Sequence, residues 1–362
     1  MELSKIKKEQ ISNRQLIFII IHNAVGTGFL SLPRSLAEVA QRDSWLPIII
    51  SGMLWSIGFF LLYKLAIKFP NETLISYSDK VVGPYLGKII SLSYILYATL
   101  VTGLIARISM TILASVKLPK TPIPITLALF LLTGFYLVSR GTKALARLDE
   151  FLFFALTPIF LVLAPMALNI NLINFRPMFE CEPLKVIEAT YLTMYSFLAV
   201  DIMFIIFPFI KEQKKALKSS LIGLLVVTLT YFFITVLVIG FYGVEAIQYI
   251  TWPTLTILKA LNVPFFGRLE FLFFFLWIAI AFTSFAPYFY ISSYGLADLF
   301  NFKHQNSSSF ILLPIIAFIA LFPENLLEIF SFMEIIATMG LALTFGIPLL
   351  FLTIIKIKKL AK

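Results

Sequence analysis

Apolar stretches of about 20 residues, nearly free of charge, recur from one end of this 362-residue chain to the other. A stretch of that length crosses the hydrocarbon core of a bilayer as a helix, which bonds its own backbone N–H and C=O groups without water. Composition agrees, with 60% of residues hydrophobic, 13% charged and a mean hydropathy of +0.95. A soluble fold of this size would need far more polar side chains to cover its surface. The chain therefore reads as an all-α integral membrane protein.

Ten transmembrane helices are predicted, near 13–40, 45–69, 86–115, 121–138, 149–168, 186–210, 218–242, 266–298, 308–323 and 328–355. With the N-terminus inside, twenty of the 29 basic residues fall at inner ends, among them Arg14, Lys64, Lys88, Lys143 and Lys358, and eight at outer ends. That asymmetry sets the orientation and requires an even number of spans. The outer segment 243–265, interrupted by Trp252-Pro253, is too polar to cross and is expected to be a re-entrant or surface-lying helical segment over the outer face. No linker or low-complexity tract divides the sequence, so residues 1–362 are expected to form a single transmembrane domain. The first apolar run continues through Gly26 to Pro33 with no small-residue cleavage site, and is expected to be retained as a span.

The net charge of +10 does not indicate nucleic acid, because the basic residues sit at span ends and not in a stripe interleaved with stacking aromatics. Cys181 is the only cysteine, and His22 and His304 are the only histidines. No metal-ligand spacing, nucleophile–base set or phosphate loop is present, so neither a metal, another cofactor nor an enzymatic reaction is expected.

One run departs from helical regularity. His22-Asn23-Ala24-Val25-Gly26-Thr27-Gly28 puts two glycines and a polar pair in the middle of the first span. The glycines weaken the helix, and an unwound segment frees backbone groups that must find partners in a protein-lined cavity. N–H groups opening the outer half-helix suit a carboxylate, and C=O groups closing the inner half suit an ammonium or a cation. A zwitterionic amino acid carries both charges. Close packing of a neighbouring helix on Gly-x-Gly is the alternative; the polar pair favours a cavity.

The run Gly26-Thr27-Gly28-Phe29-Leu30-Ser31-Leu32-Pro33-Arg34 resembles the first-helix signature of the B subunits of GerA-type spore germinant receptors. Similar motifs follow in order: Arg42-Asp43-Ser44-Trp45, Asn174-Phe175-Arg176-Pro177, Ser196-Phe197-Leu198 with Asp201, Trp252-Pro253-Thr254, Arg268-Leu269-Glu270 and Trp277. The resemblance implies the LeuT-type fold of the amino acid–polyamine–organocation transporters, with a discontinuous first helix and five spans (about 13–168) repeated upside down by five more (about 186–355). It further implies a nutrient sensor in the spore inner membrane, working with an A subunit and a C lipoprotein. This sequence departs from the family at Ala199, where a glycine is usual, and Tyr195–Asp201 holds neither Gly nor Pro, so the residues themselves do not announce a second break.

The candidate ligand-binding residues are His22, Asn23, Gly26, Thr27, Gly28, Tyr195, Phe197, Asp201 and Tyr288, with Tyr191 and Phe289 as further aromatics on the flanking spans. Arg107 and Asp201, opposite charges inside spans, are expected to be coupled directly or through a polar network. Thr283-Ser284 stands where sodium-coupled relatives of the fold complete a Na⁺ site; bonding of these hydroxyls to their own helix is the alternative. Span five, read as Phe151 to Leu168, has no lysine to replace such a cation, which argues against proton coupling there. Phe204, Phe207 and Phe209 either block an inner route or face lipid. The leading expectation is a sensor of a small nutrient, an amino acid, that biases partner subunits; an autonomous proton- or sodium-coupled amino acid transporter is the alternative.

Overall fold

The structure is a computed structural model that describes residues 9–259 and 269–358. Helix α1 (Asn13–Ala24) starts at a capping box, in which the Ser12 hydroxyl accepts from the Gln15 N–H and the Gln15 side chain accepts from the Ser12 N–H. After Ala24 the helix stops, and only a 3₁₀ turn (Gly28–Leu30) precedes α2 (Leu32–Ala40). The first span is thus two half-helices. Then come α3 (Trp45–Ala66), a short α4 (Leu74–Val82), the long α5 (Pro84–Val116), α6 (Ile123–Val138) and α7 (Thr142–Leu163). Spans four and five, α6 and α7, are bent by 116° at Ser139-Arg140-Gly141. α7 starts seven residues before the predicted 149, so Asp149 lies inside a helix and not at its wetted end.

Span six is also broken. α8 (Pro183–Leu192) passes into turns and irregular backbone before α9 (Met203–Ile206) and a 3₁₀ turn over Phe207–Phe209. The second half holds α10 (Ala216–Tyr242), the outer helices α11 (Val244–Ile247) and α12 (Pro253–Lys259), α13 (Leu269–Leu299), α14 (Gln305–Leu321) and α15 (Leu326–Lys358). The predicted outer segment holds two short helices joined by the turn at residues 248–252; residues 260–265, and Arg268 beyond them, lie outside the described residues.

By length and apolar composition, five helices among the described residues can cross a membrane, or six if the bent pair counts as one span. The remaining predicted segments are that bent pair, the 17-residue α14 and the two broken spans. α4 is an element that hydropathy did not reveal. Its buried residues Leu74, Ile75, Ser78 and Val81 recur at helical spacing, and it packs on α5, α13 and α15.

The core is built around α13, which runs along α5 and also touches α1, α6, α7 and α14. Trp55, Trp277, Tyr94, Tyr97 and Tyr231 are fully enclosed, whereas Met53, Ile57, Leu129 and Phe318 are exposed on the perimeter, where lipid would cover them. Among the described residues a single parallel bridge joins the lead-in to α1 with the end of span six: Ile11 N–H donates to Phe209 C=O (2.9 Å) and Lys211 N–H to Ile11 C=O (3.0 Å).

Candidate functional site

The two breaks face each other, and the reason for glycine in the first is space. Neither Gly26 nor Gly28 has a positive φ. A β-carbon at Gly26 would meet the Ser284 side chain of α13, and one at Gly28 would meet Ser196 of span six, with the Ser196 Cα only 3.2 Å away. The small residues let backbone approach backbone and side chain closely.

The carbonyls released by unwinding find donors within the protein. The Tyr231 hydroxyl of α10 lies 2.7 Å from Ala24 C=O and 2.9 Å from Ser196 C=O, one on each break, and donates to one at a time. Asn23 Nδ2 donates to Leu198 C=O (3.4 Å), Tyr94 to Asp201 C=O (2.7 Å), Ser284 to His22 C=O (2.6 Å) and Thr254 of α12 to Phe29 C=O (2.9 Å). Span six can therefore be non-helical without Gly or Pro, because three other helices satisfy its backbone.

Between the breaks is a cavity of about 10 Å³, no more than one water's worth. Asn23, Gly26, Thr27, Gly28, Tyr195, Ser284 and Tyr288, all named from sequence, line it. Val101, Ile105 and Leu198 line it too and were not anticipated. The signal for span three was present, since Tyr94, Tyr97, Val101 and Ile105 recur at three- and four-residue steps and so share one helix face.

Above this cavity Tyr195 and Thr27 share a hydrogen bond of 3.0 Å between their hydroxyls. Tyr195 also lines a larger outer cavity of about 320 Å³, together with Ser31, Arg34, Glu38, Tyr191 and Glu334. The Tyr195–Thr27 pair thus separates an outer cavity of amino-acid size from the closed space at the breaks.

Several candidates sit elsewhere. His22 does not line the break cavity. Neighbours on a helix point about 100° apart, and His22 turns to α7, its Nδ1 3.6 Å from Asp149 Oδ1. Phe197 packs on Tyr231, ring centres 5.2 Å apart, and not on the cavity. Asp201 is fully buried; Tyr288 donates to its Oδ1 (3.0 Å), so it reaches the cavity only through that tyrosine. Thr283 bonds its own helix at Ile280 C=O (2.7 Å), whereas Ser284 reaches α1.

Arg107 and Asp201 do not form a direct pair, and each has its own partners. Arg107 Nη2 donates to Glu324 C=O (3.2 Å), and the acidic Glu328 and Glu324 provide its opposite charge. Along α5 it lies ten residues, about 15 Å, beyond Tyr97, which is at the level of Asp201. Phe204, Phe207 and Phe209 are all buried, packing on Tyr94, Tyr63 and Tyr290, and do not face lipid. Among the described residues no group of His, Cys, Asp and Glu could hold a metal ion.

Solved structures share this architecture. Mhp1, a nucleobase-cation-symport-1 family transporter in a closed conformation with bromovinylhydantoin bound, matches with a TM-score of 0.69 over 92% of this chain and 76% of its own, at 11% identity. MhsT in complex with L-phenylalanine matches with a TM-score of 0.68 over 93% and 88%, at 13% identity. The chain is a multi-pass membrane protein of the LeuT-type fold. Residues 10–329 match the family described as spore germination protein. Spore germination protein YndE of Bacillus subtilis is 32% identical over 97% of both chains, spore germination protein B2 of the same organism 27% over 90% of both, and spore germination protein GerLB of Bacillus cereus 26% over 97% of this chain and 96% of its own. The chain belongs to the spore germination protein family, as a relative of the germinant-receptor B subunits.

Proposed function

We propose that this chain is the ligand-sensing B subunit of a spore germinant receptor, and that its ligand is an amino acid. In this reading ten spans form two inverted halves in the spore inner membrane. The nutrient enters from the outer cavity, passes Tyr195, and is held between the two breaks by Asn23, the Gly26-Thr27-Gly28 backbone, Ser284 and Tyr288. Binding there favours one arrangement of the half-helices, and that bias passes to an A subunit and a C lipoprotein. The shift cannot exceed the ligand's differential affinity for the two arrangements.

The observation that carries this reading is the pair of facing breaks beneath a hydrogen-bonded tyrosine, in a chain of the spore germination family. The fold neighbours' own ligands, L-phenylalanine and a hydantoin, support a small organic molecule as the occupant. The test uses the purified full chain in lipid nanodiscs and in vesicles. A panel of the common amino acids should contain one that binds, binding should fall at least tenfold in Gly26→Leu, and vesicles should show little ligand uptake. Absence of binding across the panel would overturn the amino acid assignment.

The alternative is an autonomous transporter, favoured by the transporter identity of the fold neighbour Mhp1. Concentrative uptake by this subunit alone would establish it. Its sodium-coupled form places Na⁺ near Thr283 and Ser284, whose hydroxyls would have to turn away from Ile280 and His22 carbonyls. Binding that is equal in Na⁺ and K⁺ buffers would remove that form.

A further inference from the structure

We propose that His22 and Asp149 form a proton-binding site that latches the inner half of span one to span five. The two side chains meet at 3.6 Å with 4% and 2% of their surface exposed. His22 Nδ1 and Asp149 Oδ2 have no hydrogen-bond partner within the protein, so the pair's stability depends on its own charge. Ile21, Val25 and Phe153 surround it, and His22 opens on a cavity of about 200 Å³ with Thr157, Val226, Thr230 and Ile280. Such a setting does not tolerate a lone carboxylate. With one proton shared, the pair is an imidazolium facing a carboxylate, neutral in sum. When that proton leaves, the carboxylate stays behind with nothing of opposite charge beside it. The strain is relieved by moving α1 away from α7 and admitting water.

The position makes this consequential. His22 is in the last turn of α1, three residues before the Val25–Thr27 gap, and its own carbonyl accepts from Ser284. Displacing the imidazole from Asp149 therefore pulls on the backbone that lines the break. Other ionisable groups on the packed elements are engaged elsewhere. On α1 and α7, Arg14 pairs with Glu150, which also accepts from Gln15; Lys143 and Arg147 of α7 are exposed. Glu9 accepts from Thr142 and from Tyr290 of α13. Tyr288 of α13 serves Asp201, Asp298 of α13 accepts from Thr73 and Ser76, Tyr231 of α10 serves the break carbonyls, and Lys218 of α10 is exposed. From α6, Tyr136 is held against Arg140 at the inner surface. Proton coupling at span five thus needs no lysine; an acid from span five and a histidine from span one suffice.

The direction follows from which state holds the proton. The latched state binds it more tightly than the opened one, so raising the pH favours opening. The test is hydrogen–deuterium exchange of the full chain in lipid nanodiscs at pH 6 and pH 8.5, corrected for the intrinsic pH dependence of exchange. Residues 13–27 should exchange at least tenfold faster at the higher pH, while residues 45–66 of α3 should not change. His22→Gln and Asp149→Asn should each abolish that difference, and Asp149→Glu should keep it with a shifted midpoint. Equal exchange of residues 13–27 at both pH values in the unaltered chain would overturn the proposal, whether or not the variants fold. A pH difference that survives intact in either neutralised variant would overturn it as well.

Discussion

At the scale of single residues, the site depends on side chains that are absent as much as on those present. Gly26 and Gly28 leave room for Ser284 and Ser196. Gly26→Ala should therefore cost about 1–3 kcal/mol by overpacking, read as a lower thermal denaturation midpoint of the purified chain. Ser284→Ala in the same molecule should return part of that loss, because the hydroxyl is the nearest obstacle; strictly additive effects would contradict the contact. Tyr231→Phe removes the one O–H donor that two carbonyls share and should cost about 1–3 kcal/mol for the buried acceptor left unpaired. Two glycines flanking a threonine beside a polar pair were legible as a break. The fate of His22 and Asp149 was not. The histidine looked like part of the ligand cavity because sequence gives proximity but not azimuth, and the aspartate looked like a span boundary because it adjoins Arg147 and Glu150.

At the scale of elements, the instructive case is span six. Its break is held by partners that are distant in sequence, from Tyr94 to Tyr231, so no local composition could reveal it. α4 escaped for a different reason: nine residues with Lys80 and Asp79 among them are too short and polar for a hydropathy window. Arg107 and Asp201 do not pair directly because Arg107 lies about 15 Å farther along α5 than the level of Asp201, and sequence position within two spans does not fix their relative depth. The outer helix α12 should act on the first break through the Thr254 hydroxyl on Phe29 C=O. Thr254→Val removes that tie, worth about 1 kcal/mol. A cysteine at Ser31 in the outer cavity, in a Cys181→Ser background, should then be alkylated faster by a water-soluble maleimide. An unchanged rate would show that α12 does not restrain the outer half of the span.

At the scale of the whole molecule, apolar recurrence made the helical membrane class readable, because the bilayer acts on every segment alike; the bias of basic residues predicts the orientation. Single cysteines at Lys120 and Lys143 flank the 16-residue α6 at opposite ends. In intact inside-in vesicles an impermeant reagent should reach the first and not the second; reaction of both from one side would refute the proposed threading. The inner bridge between Ile11 and Ile210 has a mechanical meaning for the same assembly. Two interrupted helices suggest two independent shutters, yet the lead-in to one and the end of the other are stitched backbone to backbone. A pull on either end would be delivered to both, as in one lever with two arms. A displacement of the segment after span six would thereby change the angle of the helix before the first break.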